Sequence, residues 1–199
     1  MEFSQNHTVK ILALLLFLAA ISQPIYTALF FRAPEFERQF LWGIEAFLFV
    51  MTAAFAGSAL VMAKRYTLGF SAITFSAVFN LVQVGVGLTQ FGPFRAAAET
   101  NADLNGVAFA VVSFSFFGYN AAKILLGLAA LVFGMAKMSE GSKILGCAAV
   151  LVGAVAIFSN TMVMMFGLQG FFPRPVAGGS GVLATLLLAF CLFSVKTER

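Results

Sequence analysis

Six long stretches of the chain carry almost no charge, and each is close to the length that a helix needs to cross a bilayer. About 20 residues of α-helix span the roughly 30 Å of hydrocarbon. The predicted spans lie at about 8–31, 40–63, 68–92, 107–136, 143–167 and 177–195. Only 10% of the residues are charged, against roughly 25% in soluble domains. The sequence therefore predicts an all-α polytopic membrane protein, in which residues 1–199 form a single domain of six transmembrane helices.

The first stretch is predicted to be a retained span rather than a cleaved signal peptide. Lys10 stands before a leucine-rich core, as in a signal peptide, but apolar residues continue past Pro24 as far as Phe31. Cleaved signal peptides have a core of only about 7–15 apolar residues. The first helix is therefore expected to stay in the membrane.

Positive charge is distributed unevenly between the two sides of the predicted bundle. Seven bases fall on one side, namely Lys10, Lys64, Arg65, Lys137, Lys143, Lys196 and Arg199. Four fall on the other side, namely Arg32, Arg38, Arg95 and Arg174. Because the richer side faces the cytoplasm, both termini are predicted to be cytoplasmic, in a plasma membrane of the bacterial inner-membrane type. No basic cluster is interleaved with aromatic residues, so the net charge of +4 indicates insertion bias and attraction to anionic lipid rather than nucleic-acid binding.

Similar residue clusters end the outward-going spans and divide the chain into three helical hairpins. The clusters cover residues 30–34, 90–95 and 169–175. Asn80 and Gly87 stand seven apart on the third span, as do Asn160 and Gly167 on the fifth. Two explanations remain open. The hairpins descend from one repeat, as is common in transporters, or Phe, Pro and Arg recur at span ends for independent physical reasons.

Polar and small residues recur at a four-three step on three spans, which places each set on one face of an α-helix. On the third span the set is Ser76, Asn80, Gln83, Gly87 and Gln90. On the fourth it is Asn120, Lys123, Gly127, Ala130, Gly134 and Lys137. On the fifth it is Gly146, Ala149, Gly153, Ala156, Asn160 and Gly167. Small residues at this spacing let helices approach closely, so these three spans are predicted to form a tight central group.

Lys123 is the one charged residue between Leu104 and Ala136. A charge at membrane depth costs from about 3 to more than 10 kcal/mol, so it is expected to face the protein interior and to have a partner. At about 1.5 Å per residue, Glu45 and Lys123 lie roughly 27 Å and 21 Å above the cytoplasmic ends of their helices. A lysine side chain spans this difference, so an ion pair between them in the outer half is geometrically allowed. The polar residues expected around it are Gln23, Asn80, Gln83, Gln90, Asn120 and Asn160.

Two roles are open for this polar cluster. In a structural role, the ion pair and the amides cross-link the helices. In a functional role, they form a pocket open to the outer face, in which Lys123 attracts a carboxylate, a phosphate or a lipid headgroup. The functional role predicts a protein that binds or transports a small polar or anionic solute or lipid headgroup. The alternative is a non-catalytic accessory or assembly subunit of a larger membrane complex, which docks on a membrane-protein partner or on copies of itself.

Few residues are suited to catalysis or to cofactor binding. The one histidine, His7, lies in the amino-terminal tail, and Cys147 and Cys191 form no CxxC or Cys/His pattern. No nucleophile with an accompanying base and no P-loop is present. The sequence therefore predicts no catalytic residue, metal ligand or cofactor, and an enzyme is the least favoured class.

Overall fold

The structure, a computed structural model, describes residues 4–32, 38–168 and 170–195. These residues form seven α-helices and no strand: α1 (Gln5–Arg32), α2 (Arg38–Met62), α3 (Thr67–Val86), α4 (Gly92–Thr100), α5 (Asn105–Ser139), α6 (Lys143–Phe166) and α7 (Arg174–Phe193). Six helical segments are long and apolar enough to cross a membrane. The predicted all-α bundle of six transmembrane helices is thereby confirmed.

The third span is longer than the sequence predicts. A turn of π-helix, Gly87–Phe91, joins α3 to α4, so residues 67–100 run as one helical segment of 34 residues. The connection that the predicted spans leave between residues 92 and 107 is therefore mostly helical, with a short 3-10 turn at Ala102–Leu104. The π turn takes one more residue than an α-helical turn, and this shifts every later side chain around the helix axis.

Glycine and proline set the ends of α6 and α7. Gly167 adopts a φ of +74°, a conformation that L side chains rarely take, and its N–H donates to the carbonyl of Val163. Pro173 precedes α7 and Pro175 lies in its first turn, where the missing N–H of proline has no intrahelical partner to lose. The connection between the two helices is therefore short and sharply bounded.

The six spans form a closed ring in the order α1, α2, α3, α5, α6 and α7. Each span packs on the next, and α7 closes the ring by packing on α1. α5 also contacts α7 across the ring and is the most buried span. The predicted central group needs a correction, because α3 and α6 both pack on α5 rather than on each other. The two helices of each predicted hairpin do touch, but neighbouring hairpins touch as well.

α5 and α6 approach each other through paired glycines. A Cβ placed on Gly153 would lie 2.7 Å from the carbonyl oxygen of Gly127, and one placed on Gly146 would lie 2.6 Å from that of Gly134. Real Cβ atoms do not approach backbone oxygen so closely, so these positions accept only glycine without a shift of the helices. The small-residue faces of the fourth and fifth spans therefore meet inside the bundle.

The main apolar core and most of the buried polar side chains lie in opposite halves of the bundle. The main apolar core packs α1, α2, α3, α5, α6 and α7 together near the turns that follow α2 and α5, and includes the ring pair Phe70 and Phe133. Toward the other end of the bundle, where α2, α5 and α7 begin, the interior holds most of the buried polar side chains. This second end is called the pocket end below.

Candidate functional site

A cavity of about 270 Å³ lies at the pocket end, and every span contributes to its wall. Its lining residues are Gln23, Tyr26, Thr27, Trp42, Glu45, Gln83, Phe91, Ser115, Phe116, Tyr119, Asn120, Val163, Arg174, Ala177 and Gly178. This cavity is called the end pocket below. Pockets for small molecules usually measure about 300–1,000 Å³, so the end pocket suits a small solute or a headgroup.

Glu45 is the acid that lines the end pocket. Its side chain is buried, and the hydroxyl of Ser22 donates to Oε1 at 2.7 Å. No other hydrogen bond to this carboxylate comes from the part of the chain that the structure describes. One oxygen is therefore anchored to α1, and the other receives no hydrogen bond from the described residues.

Aromatic rings surround this acid. Trp42 stacks on Tyr26 with ring centroids 6.0 Å apart and meets Phe91 edge-on at 5.7 Å. Phe116, which also lines the cavity, meets Tyr119 edge-on at 6.3 Å. The end pocket thus combines a carboxylate, three amide-bearing side chains and a wall that contains five aromatic rings.

Lys123 is buried beneath the end pocket and is not part of its lining. Its side chain is 2% exposed, and Nζ lies 5.1 Å from the centre of the Tyr119 ring. No acid of the described chain lies within 4.0 Å of Nζ, so the allowed ion pair with Glu45 does not form as a direct contact. The reason is geometric, since Ser22 holds the carboxylate of Glu45 and the amine of Lys123 lies over the ring of Tyr119. The face of an aromatic ring attracts cations.

A second, much smaller cavity lies next to Lys123. It measures about 10 Å³ and is lined by residues that include Lys123, Asn80 and Gln23. Oδ1 of Asn80 is buried and accepts no hydrogen bond from any residue that the structure describes. Gln23 also lines the end pocket, and its Oε1 accepts a hydrogen bond from the hydroxyl of Tyr119 at 3.3 Å. Tyr119 and Gln23 therefore separate the end pocket from the cavity that holds the amine.

The structure divides the residues of the predicted site into three groups. Gln23, Glu45, Gln83 and Asn120 line the end pocket. Lys123 and Asn80 line the small cavity, which Gln23 shares. Asn160 and Gln90 line neither cavity. Asn160 instead donates to the carbonyls of Ala156 and Ala177 and so links α6 to α7. Gln90 is exposed, because the π turn that begins at Gly87 moves it off the face that Asn80 shares.

Four residues of the site carry no signal in the sequence pattern. Ser22, Trp42, Tyr119 and Arg174 lie outside the polar stripes, yet they hold or surround Glu45 or line the end pocket. Trp42 and Arg174 lie near the ends of their spans, but Trp and Arg are common there because they mark the membrane interface. Their position therefore does not identify them as residues of the pocket. Whether these side chains turn toward the pocket depends on how the helices are rotated against one another.

Replacing Lys123 with methionine is expected to raise stability, and replacing it with alanine to lower it. The stem packs so tightly on α7 that a Cβ on Gly181 would lie 2.8 Å from its Cγ and Cδ. Methionine keeps most of that stem and removes a buried amine without a contacting acid, whereas alanine leaves a cavity worth about 2–4 kcal/mol. Unfolding in mixed micelles, followed by circular dichroism, measures both. A methionine variant less stable than the alanine variant would show that the amine itself holds the bundle together.

Comparisons of the chain with models of protein families, with curated proteins and with solved structures give no match. The class therefore rests on the fold and the cavity. The chain is a six-helix protein of membrane-spanning character with a polar, aromatic-walled pocket at one end.

Proposed function

We propose that the protein binds a small polar solute or a lipid headgroup in the end pocket, as a carrier or as the capturing subunit of one. The observation that supports this proposal is the lining itself, since all six spans place residues around a buried carboxylate that receives one hydrogen bond from the described chain. A polar cavity within apolar helices is costly unless something fills it. Under this proposal the end pocket faces outward from a bacterial plasma membrane, and both termini are cytoplasmic.

The charge of the ligand depends on which bases reach it. The expectation of an anionic ligand depended on Lys123, whose amine lies beyond Tyr119. Arg174, at the start of α7, lines the end pocket instead. No acid of the described chain lies within 4.0 Å of its guanidinium group. An anionic group on the ligand is therefore proposed to meet Arg174.

Two adjacent glycines provide a test of the end pocket. Gly178 lines the pocket, and a Cβ there would lie 3.7 Å from the hydroxyl of Tyr119, whereas a Cβ on Gly179 meets nothing within 4 Å. Leucine at 178 is expected to fill the pocket and abolish retention of a bound molecule, while leucine at 179 leaves retention unchanged. Native mass spectrometry of the gently solubilised protein reports the retained mass in both variants.

The outcome separates the candidate functions. If the wild-type protein retains a small molecule and the Gly178→Leu variant does so equally well, the end pocket is not the binding site. If partner chains are retained in place of a small molecule, the accessory-subunit alternative is favoured. That alternative relied on glycine faces free for docking, and the glycines of α5 and α6 are already used against each other. The solute or headgroup binder is therefore the function that the geometry supports best.

A further inference from the structure

We propose that the ligand of the end pocket is zwitterionic, with an ammonium group against Glu45 and an anionic group toward Arg174. This inference rests on the proposed function and adds the chemical class of the ligand. The ammonium group is either a primary amine or a quaternary nitrogen. A free solute and a phospholipid headgroup both present this chemistry.

The carboxylate of Glu45 favours a cationic group on the ligand. It lines the cavity, one oxygen accepts from Ser22, and the described chain supplies the other with no hydrogen bond and no contacting cation. A carboxylate at membrane depth is stable only beside a compensating charge or donor. The nearest base in the interior, Lys123, faces the Tyr119 ring instead. An ammonium group of the ligand completes the site.

The aromatic wall favours a cation over a neutral donor. Ring faces attract ammonium groups, and quaternary ammonium is commonly recognised by several rings together. Two rings of the wall already have cations of the chain close to them, since Arg38 lies 6.0 Å from the centre of Tyr26 and Lys123 lies 5.1 Å from that of Tyr119. Trp42, Phe91 and Phe116 supply the remaining aromatic surface.

Arg174 sets the position of the anionic group. It is the first residue of α7 and is exposed at the mouth of the pocket end, whereas Glu45 lies seven residues inside α2. Seven residues of helix correspond to about 10 Å of depth. The ammonium group therefore enters first and the anionic group stays near the mouth, an order that fits a short zwitterion or a headgroup whose phosphate remains at the interface.

A neighbouring crevice gives room for an acyl chain. This crevice, of about 220 Å³, lies between α5 and α6 and is lined mainly by apolar residues. It shares Phe116, Asn120 and Val163 with the end pocket. A lipid whose headgroup enters the end pocket thus has an apolar surface next to it, and a free solute does not need one.

Trp42 makes occupancy of the end pocket directly measurable. It is the only tryptophan of the chain and it lines the cavity, so its fluorescence reports binding in the intact protein. The protein is placed in nanodiscs of phosphatidylglycerol and titrated with glycine betaine, phosphocholine and phosphoethanolamine. The matched control is 3,3-dimethylbutanoate, which has the shape and the carboxylate of glycine betaine but a carbon in place of the cationic nitrogen.

Glycine betaine is expected to bind about 10- to 100-fold more tightly than its carbon analogue, because the analogue loses the charge attraction to Glu45 and the cation–π contacts. The lipid source is tested in nanodiscs that also contain phosphatidylethanolamine or phosphatidylcholine. A change in Trp42 fluorescence with these lipids supports the inference and assigns the source of the ligand to the lipid headgroup. The change is measured without soluble probes, or with soluble probes that show the same preference for a cationic nitrogen.

Two results overturn the inference. Equal binding of glycine betaine and 3,3-dimethylbutanoate shows recognition of the anion alone. No response to any of the soluble zwitterions or lipids shows that the ligand is of another class. Retention of a different molecule, lost in the Gly178→Leu variant, would then leave the proposed function standing, so the two failures are distinguishable.

Substitutions separate the two ends of the ligand. Glu45→Gln is expected to weaken every ammonium probe about 10-fold or more, whereas Glu99→Gln, an exposed acid paired with Arg95 outside the pocket, leaves binding unchanged. Arg174→Gln is expected to weaken glycine betaine but not choline, which lacks the carboxylate. If Glu45→Gln does not fold, the double variant with Lys123→Met removes both buried charges and is used in its place. Unchanged affinity in the folded variant of Glu45 contradicts the inference.

Discussion

Replacing Gly153 with leucine is expected to prevent α5 and α6 from packing and to leave little folded protein. A side chain at this position begins 2.7 Å from the carbonyl oxygen of Gly127 and 3.2 Å from the Cβ of Ala130. Neither atom belongs to a flexible chain end, so the helices themselves must separate. Overpacking alone costs about 1–3 kcal/mol, and the lost contact of the best-packed helix pair adds to it. The yield of monodisperse protein in mild detergent and the midpoint of thermal unfolding measure the loss.

A second glycine provides the control for this experiment. Gly57 lies in the interior of α2, and a Cβ there meets nothing within 4 Å. Leucine at 57 adds the same side chain to a helix of similar hydropathy and is expected to change the unfolding midpoint little, since leucine is the better helix former. If both variants unfold alike, close approach of α5 and α6 is not what holds this part of the bundle. Alanine at 153 is expected to fall between glycine and leucine.

The face of α5 is the part of the interior that the sequence predicted best. All six residues of the predicted stripe, from Asn120 to Lys137, are buried. A helix has a fixed period, and a transmembrane helix has a strong reason to turn its polar and small residues inward. The position of each span followed in the same way from hydropathy and length.

The arrangement of the end pocket was only partly predictable. Glu45, Gln83, Asn120 and Gln23 were expected near one another, and all four line the cavity. Gln90 was lost from this group because a π turn is not visible in the pattern of apolar residues. Whether Glu45 and Lys123 are in contact depends on their side-chain rotamers. Depth along the helices does not predict whether the amine of Lys123 meets an acid or the face of an aromatic ring.

The position of Tyr119 suggests how the two cavities are related. Its ring covers the amine of Lys123, and its hydroxyl donates to Gln23, which belongs to both cavities. For a carrier, this contact is the natural first barrier along the path of the solute. For a protein that only captures its ligand, it is the floor of the site.

Lys137 is the second position at which a large effect is expected. The sequence places it both among the charges of the cytoplasmic side and on the small and polar face of the fourth span, and its side chain is only 4% exposed. Its amine donates to Glu140, just past the end of α5, and to the carbonyl of Ser194, just past the end of α7. Methionine would keep the stem and remove both interactions. Because a buried charged contact is broken on one side only, a loss of about 3 kcal/mol is expected.

Cys191 allows this loss to be located as well as measured. It lies in the last turn of α7 and is fully buried, whereas Cys147 is exposed at the start of α6. In a Cys147→Ser background, Lys137→Met is expected to make Cys191 react with a thiol reagent many times faster, because the end of α7 loses its attachment to α5. The control is Lys143→Met, which removes an exposed lysine from the first position of α6 and has no such contact in the described chain. If Cys191 stays protected in the Lys137 variant, packing against α1 and α5 is sufficient to hold the end of α7, and the buried amine serves another purpose.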